Sequence, residues 1–231
     1  MHKYKAMSEE NKLSGQESLQ IITEMIQKVK GTFNENGSSA ILWGAVVGFC
    51  GLLSFAEIQW KFDVGFPVWG LIMVAAIPQM YIVFRERKKK LVKTYQQEAT
   101  DNIWLVYGIT IMAFVLYQSI VPGVSDKLTE GEGYQLLQKN IATGAVENYH
   151  YIIPSGSSVY LIIYAFPTIA TGLVCKFKPM IYGAIICYAL FLVSLYTPFK
   201  YDLLLMGLAG IFNWLIPGFI LRNRYLKALP A

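Results

Sequence analysis

The sequence predicts an all-α, polytopic membrane protein with six transmembrane helices. Of the 231 residues, 55% are hydrophobic and 15% are charged, whereas a typical soluble domain has about 25% charged residues. The apolar residues form six long runs without an interior Lys, Arg, Asp or Glu. About 20 such residues suffice to cross a bilayer. The predicted spans are 39–57, 66–84, 103–121, 157–175, 181–197 and 203–221.

The basic residues predict the orientation, because Lys and Arg concentrate in cytoplasmic loops. With the N-terminus inside and six crossings, 16 of the 20 Lys and Arg residues lie on the cytosolic side. The densest group directly follows span two and consists of Arg85, Arg87, Lys88, Lys89 and Lys90. We interpret it as a topology anchor that contacts lipid headgroups. A nucleic-acid patch is disfavoured, since the adjoining span holds the group at a bilayer surface. Both termini are therefore predicted to be cytosolic.

The pattern divides the chain into three parts. Residues 1–37 form a cytosolic N-terminal segment with an amphipathic helix at about 14–33, whose apolar residues recur every three or four positions. This helix is expected to lie on the inner leaflet, or else to dock on a partner. Residues 38–225 form the six-helix domain, with an outer loop at 122–156, and residues 226–231 form a cytosolic tail. In the loop, the helical spacing of Tyr134, Leu137 and Ile141 indicates a short surface helix.

The residue types do not form a catalytic or metal-binding set, so neither an enzyme nor a cofactor is expected. The two histidines, His2 and His150, are predicted on opposite sides of the membrane, and the three cysteines lack a C-x-x-C spacing. No predicted span carries an ionisable residue, although such residues usually mark ion routes. Asp202 is predicted at the outer end of span six, in contact with water.

A polar cluster within the membrane is predicted at Thr168, Thr171 and Asn213. Thr168 lies about eleven residues into span four and Asn213 about ten into span six, so they are expected at similar depth. Pro167 and Pro217 lie nearby, and interrupted helices at mid-membrane are a feature of transporters. The alternative is that these side chains only join neighbouring helices.

Small residues predict a close helix contact on span one. Gly44, Gly48 and Gly51 share one helical face, and Gly44-Ala-Val-Val-Gly48 matches G-x-x-x-G. Small residues allow two helices to approach closely. The contact lies either within the bundle or between two subunits.

Three segments carry a resemblance to a protein family. They are ESLQIITEMIQKVKGTFNENGSSAILWG (17–44), FPTIATGLVCKFKPMIYGAIICYAL (166–190) and IPGFILR (216–222). Together they resemble a family of small, uncharacterised multi-pass membrane proteins of Bacteroidetes-type bacteria. The resemblance implies a location in the bacterial inner membrane and brings no activity or site residues.

Two functions are expected from these observations. The first is a non-enzymatic, regulatory or partner-binding membrane protein, with residues 14–33 as a contact for a membrane or cytosolic partner; self-association is included. The second is a small-solute transporter or channel that uses the polar level of spans four and six. Nucleic acid is not an expected partner.

Overall fold

Six helices form most of the computed structural model, which describes residues 36–89, 94–149 and 157–228, without the side chains of Arg87, Lys89 and Ala228. Each helix overlaps one predicted apolar run. The first five are α1 (Ser38–Trp60), α2 (Leu71–Lys89), α3 (Tyr95–Gly131), α4 (Ser158–Val174) and α5 (Lys178–Ser194). A 3₁₀ turn, Val68–Gly70, precedes α2. The last helix, α6, joins Phe199–Gly210, the π-helical turn Ile211–Leu215 and Ile216–Ala228 without a break.

Four of these helices are long and apolar enough to cross a bilayer, so the chain is a helical membrane protein. They are Ser38–Trp60, Val68–Glu86, Tyr95–Gly131 and Phe199–Lys227. The helices α4 and α5 are also apolar but have only 17 residues each. The predicted amphipathic helix at about 14–33 lies outside the described residues.

The predicted outer loop, 122–156, contains regular structure that differs from the expectation. Helix α3 continues through Pro122 to Gly131. Two short antiparallel strands follow, β1 (Leu137–Lys139) and β2 (Val146–Asn148), with Leu137 opposite Asn148. The predicted surface helix is therefore wrong, and a small hairpin accompanies the helices.

The turn of this hairpin explains why a helix does not form. The Asn140 side chain accepts the N–H groups of Ala142 and Thr143 at 2.9 and 3.1 Å, which is the turn chemistry typical of Asn. Gly144 adopts φ 71°, a left-handed conformation that favours glycine. The helical spacing of the three apolar residues is thus overridden by local turn geometry.

Helices α1 and α6 approach each other closely through glycine. A Cβ atom built on Gly51 would lie 2.5 Å from the Gly207 nitrogen, and one on Gly48 would lie 3.0 Å from the Ile211 side chain. From the other side, a Cβ on Gly210 would lie 3.0 Å from the Gly48 nitrogen. Gly44 likewise packs against Leu215. The small face of α1 is therefore occupied within the bundle.

Polar contacts show which helix ends lie together. At one end, Arg222 near the end of α6 donates to Ser38 Oγ at the start of α1, at 3.1 Å. Its neighbour Arg224 lies 5.0 Å from the ring centroid of Phe177, in the turn after α4. At the opposite end, Lys200 near the start of α6 donates to Gln59 Oε1 at the end of α1, at 3.2 Å. Helices α1 and α6 are therefore antiparallel.

The core lies among α4, α5 and α6, and α3 packs on its outside. Leu161, Cys187 and Met206 belong to one buried cluster that joins these three helices. Helix α3 approaches α4 through a stripe of aromatic rings, with Phe114 and Tyr160 at 4.9 Å between centroids. The stretch of α3 that is apolar enough to span a membrane contains no buried residue.

Candidate functional site

The predicted polar residues are fully buried where α4 meets α6. The hydroxyl of Thr168 donates to the Tyr164 carbonyl at 2.9 Å and accepts the indole N–H of Trp214 at 3.0 Å. Asn213 directly precedes Trp214, and Thr171 lies one turn after Thr168. The structure thus brings these levels of α4 and α6 together. Thr168 itself acts as a link between helices.

Two members of this set have polar atoms without a hydrogen-bond partner in the described part of the chain. They are the hydroxyl oxygen of Thr171 and both amide atoms of Asn213. The Cys187 thiol of α5 lies within hydrogen-bonding range of the Asn213 side chain and donates to the Leu161 carbonyl at 3.2 Å. A buried polar group left without a partner costs about 1–3 kcal/mol. Thr171 and Asn213 therefore carry hydrogen-bonding capacity that the described residues satisfy only in part.

A π-helical turn positions Asn213. The turn covers Ile211–Leu215 in the middle of α6. Opposite it, Gly183 of α5 packs against the backbone, and a Cβ atom there would lie 3.1 Å from Asn213 Cα. The missing side chain thus gives the wider turn its room. Such π-helical insertions within α-helices occur frequently at functional sites.

Aromatic rings surround Trp214, the residue after Asn213. Its ring centroid lies 5.0 Å from that of Tyr164, 6.2 Å from that of Trp104 and 6.3 Å from that of Tyr107. Edge and tilted contacts of this kind are favourable for aromatic pairs. Trp214 is therefore held by its ring contacts and by its bond to Thr168. Through Trp104 and Tyr107, it also connects α3 to the core.

Asp202 is a buried acid, although the sequence predicts that it contacts water. Its side chain is fully buried in the first turn of α6, so the predicted contact with water is wrong. One carboxyl oxygen, Oδ1, accepts the Thr197 hydroxyl at 3.2 Å, whereas Oδ2 has no partner among the described residues. The spacing Asp202, Met206, Ala209 and Asn213 is a signal for this burial, since it places the acid on the same helical face as Asn213.

The predicted anchor group lies at the end of α2. The side chains of Arg85 and Lys88 are exposed there. Arg87 and Lys89 belong to the last turn of the helix, whereas Lys90 lies outside the described residues. This arrangement leaves Arg85 and Lys88 free to meet charged headgroups.

The described residues contain no cluster of three or more His, Cys, Asp or Glu that could hold a metal ion. A scan of the chain against protein-family models, curated proteins and solved structures finds no match. The chemistry of the site is therefore deduced from the chain's own side chains.

The different bonding of Thr168 and Asn213 predicts opposite effects on stability. Thr168→Val leaves the Trp214 N–H buried without an acceptor, and we expect a loss of roughly 1–3 kcal/mol. Asn213→Leu removes two unpartnered polar atoms at similar volume, so we expect unchanged or higher stability. Thermal unfolding of the purified variants in detergent measures both. A large destabilisation by Asn213→Leu would show that its amide is bonded within the fold.

Proposed function

We propose that the chain crosses the bacterial inner membrane six times, with both termini in the cytosol. The contacts between helix ends support this arrangement: Arg222 and Arg224 lie at the same end of the bundle as Ser38 and the turn after α4. That turn carries Lys176. The location is the one that the family resemblance implies.

Reporter fusions test this topology. A periplasm-active reporter inserted at residue 140, in the hairpin turn, is expected to be active, and the same reporter at the C-terminus inactive. A cytosol-active reporter should give the reverse pattern. Two fusions that report the same side would exclude six crossings with this orientation.

We further propose that the protein is non-enzymatic and binds a membrane protein partner through α3. The observation that carries this proposal is the exposure of α3, which meets the core through Trp104, Tyr107 and Phe114 but has no buried residue in its apolar stretch. Its 37 residues measure about 55 Å, whereas a hydrocarbon core is about 30 Å thick. The helix therefore extends well beyond the bilayer and offers a long surface.

One side of α3 is suited to another helix rather than to lipid. Gly108, Met112, Ser119 and Gly123 recur on this side and are exposed. A Cβ atom added to Gly108 or Gly123 would meet no atom within 4 Å. Small residues on membrane helices are typical of helix contacts, because they allow backbones to approach. The proposed occupant of this side is a transmembrane helix of the partner, and residues 14–33 supply a second, cytosolic contact.

Steric variants of α3 test the partner. Gly108→Leu and Gly123→Leu are expected to abolish stoichiometric recovery of a cross-linked partner from native membranes, while the purified protein melts at the wild-type temperature. Gly131→Leu is the matched control, since it also enters open space but lies at the end of the helix. Deletion of residues 14–33 is expected to weaken recovery.

Three results would contradict partner binding through α3. They are recovery that is unaffected by the two leucine variants, recovery of the chain with itself alone, and movement of a defined solute by the purified protein in vesicles.

Transport is the second candidate, and the unpartnered atoms of Asn213 and Thr171 favour it. A transported solute with hydrogen-bonding groups would find free donors and acceptors at mid-membrane depth there. If the reconstituted protein moves a solute, Asn213→Leu is expected to abolish the flux while the protein remains folded. Flux that persists in this variant would exclude Asn213 from the route.

A further inference from the structure

The outer ends of α4 and α6 contain a second set of buried polar atoms without partners. In the described part of the chain, these are Oδ2 of Asp202 and the hydroxyl oxygen of Ser158. Asp202 is 0% exposed and Ser158 is 2% exposed. They belong to different helices and neither was identified as a site residue from the sequence.

The packing beneath these residues places them at the same level of the bundle. Leu161, one turn after Ser158, belongs to the same buried cluster as Leu205 and Met206, one turn after Asp202. The Thr168–Trp214 hydrogen bond fixes the two helices further along. At 1.5 Å per residue, Ser158 lies about 15 Å from Thr168 and Asp202 about 18 Å from Trp214. Helices α4 and α6 are thus parallel, and the two residues share a level.

Thr197 completes the set from the turn between α5 and α6. Its hydroxyl lies 3.2 Å from Oδ1 of Asp202 and 3.4 Å from the Ser194 carbonyl. One oxygen of the Asp202 carboxyl group is therefore bonded to Thr197, and the Ser158 hydroxyl lies at the same level on α4. No nitrogen or sulfur ligand belongs to the set.

The Asp202 carboxyl group lacks a positively charged partner among the described residues. Lys200, the nearest lysine in sequence, donates to Gln59 Oε1 and lies 4.8 Å from the ring centroid of Tyr201. The positive end of the α6 dipole favours a negative charge here, but it leaves Oδ2 without a bond. A charged carboxylate buried in this way is costly unless something neutralises it.

We propose that Asp202 binds a monovalent cation, either a sodium ion or a proton, with Ser158 and Thr197 as neutral oxygen ligands. One carboxylate suits a single positive charge, whereas calcium sites use several acidic ligands. Hydroxyl and carboxylate oxygens suit alkali ions and not soft metals. The site lies in the first turn of α6, where the neighbouring residues Phe199 and Tyr201 are exposed. This inference goes beyond partner binding and does not depend on it.

Other ionisable groups at this end of the bundle set the background for the test. In the described residues they include Glu57, Lys61 and Asp63 on α1 and its turn, Tyr160 on α4, Tyr196 after α5, and Lys200 and Tyr201 on α6. The end of α3 and the hairpin add Asp126, Lys127, Glu130, Glu132, Lys139 and Glu147. The Glu57 carboxylate accepts the Val64 N–H at 3.1 Å, so it is engaged in its own turn. Comparison of variants separates these groups from Asp202.

Thermal unfolding of the full chain in detergent tests the proposal. Sodium chloride is titrated against choline chloride at constant ionic strength, and a pH series is run without sodium. A sodium ion at Asp202 raises the melting temperature with sodium concentration, since a ligand that binds the folded state stabilises it. A proton at Asp202 instead gives a melting temperature that falls as the pH rises, because the bare charge is left buried.

Asp202→Asn keeps the acceptor for Thr197 and removes the charge, so it should lose the sodium or pH dependence. We expect an apparent affinity weaker by about tenfold or more, because hydrogen bonds and contacts to a charged oxygen are the stronger ones. Asp63→Asn is the matched control: Asp63 is exposed and accepts the Gly65 N–H at 2.7 Å, a bond that Asn preserves. This control should behave as wild type.

Two results would overturn the proposal. One is a wild-type protein whose melting temperature does not change with pH and responds to sodium chloride as it does to choline chloride. The other is an Asp202→Asn protein that retains the wild-type dependence. If Asp202→Asn does not fold, Ser158→Ala serves as the second test of the site. This variant removes one neutral oxygen, so it must weaken the apparent sodium affinity or shift the midpoint of the pH series. An unchanged response in Ser158→Ala then overturns the site.

Discussion

The close approach of α1 and α6 is the constraint on which the rest of the bundle depends. Gly48 and Gly51 meet Gly207 and Gly210 nearly backbone to backbone, and a side chain on Gly51 or Gly207 would force the helices apart. Close packing of this kind is a main source of helix association in lipid, where the hydrophobic effect between helices is lost. With one face of α6 against α1, its other face is directed towards α4 and α5.

That second face of α6 carries the polar residues, and its composition is the reason why the site is buried. Asp202 and Asn213 stand at its two levels, separated by Met206 and Ala209, which pack in the core. Because the glycine contacts fix the rotation of α6 about its axis, the helix cannot turn its polar residues towards solvent. The burial of Asp202 therefore follows from packing elsewhere on the same helix.

The sequence predicts the helices well but the site only in part, and both results have physical reasons. A long apolar run has few alternatives to a helix in lipid, so all six runs match helices. The sequence does not predict the hairpin, because the helical spacing of three apolar residues has less influence on the fold than the turn conformations of Asn140 and Gly144. Helix α3 continues past Pro122 although proline removes a backbone donor and crowds the preceding turn, a cost that membrane helices tolerate.

The site residues also include some positions that the sequence can predict and others that it cannot. The burial of Thr168 and Asn213 agrees with their predicted depth, because depth can be counted from the helix ends. Asp202 was misplaced because counting gives depth but not rotation, and rotation is set by the glycine contacts. The π-helical turn has no sequence signal at all in this chain, since Ile211–Leu215 is an ordinary apolar stretch apart from Asn213.

The hydrogen bonds divide the buried polar residues into two groups. One group has partners for its polar atoms, and the other has atoms without a partner. Residues that only join helices have partners, as Thr168 has with Trp214 and Gln79 with Ser39. With one exception, at Gln79, the buried side-chain atoms without partners in the described residues belong to α4 or α6. They fall at two levels of a single interface, one near the N-terminal ends of these two helices and one further along them.

Interhelical bonding does not explain such a pattern, because it would need the partners that are missing. Nor does it reflect a generally loose core, since the α1 and α6 contact leaves no such atom. Polar atoms that are costly to bury persist in membrane helices where they serve binding or conduction. The buried polar atoms that lack a hydrogen-bond partner in the described residues are thus concentrated at the interface of α4 and α6, which separates this interface from the glycine contact of α1 and α6.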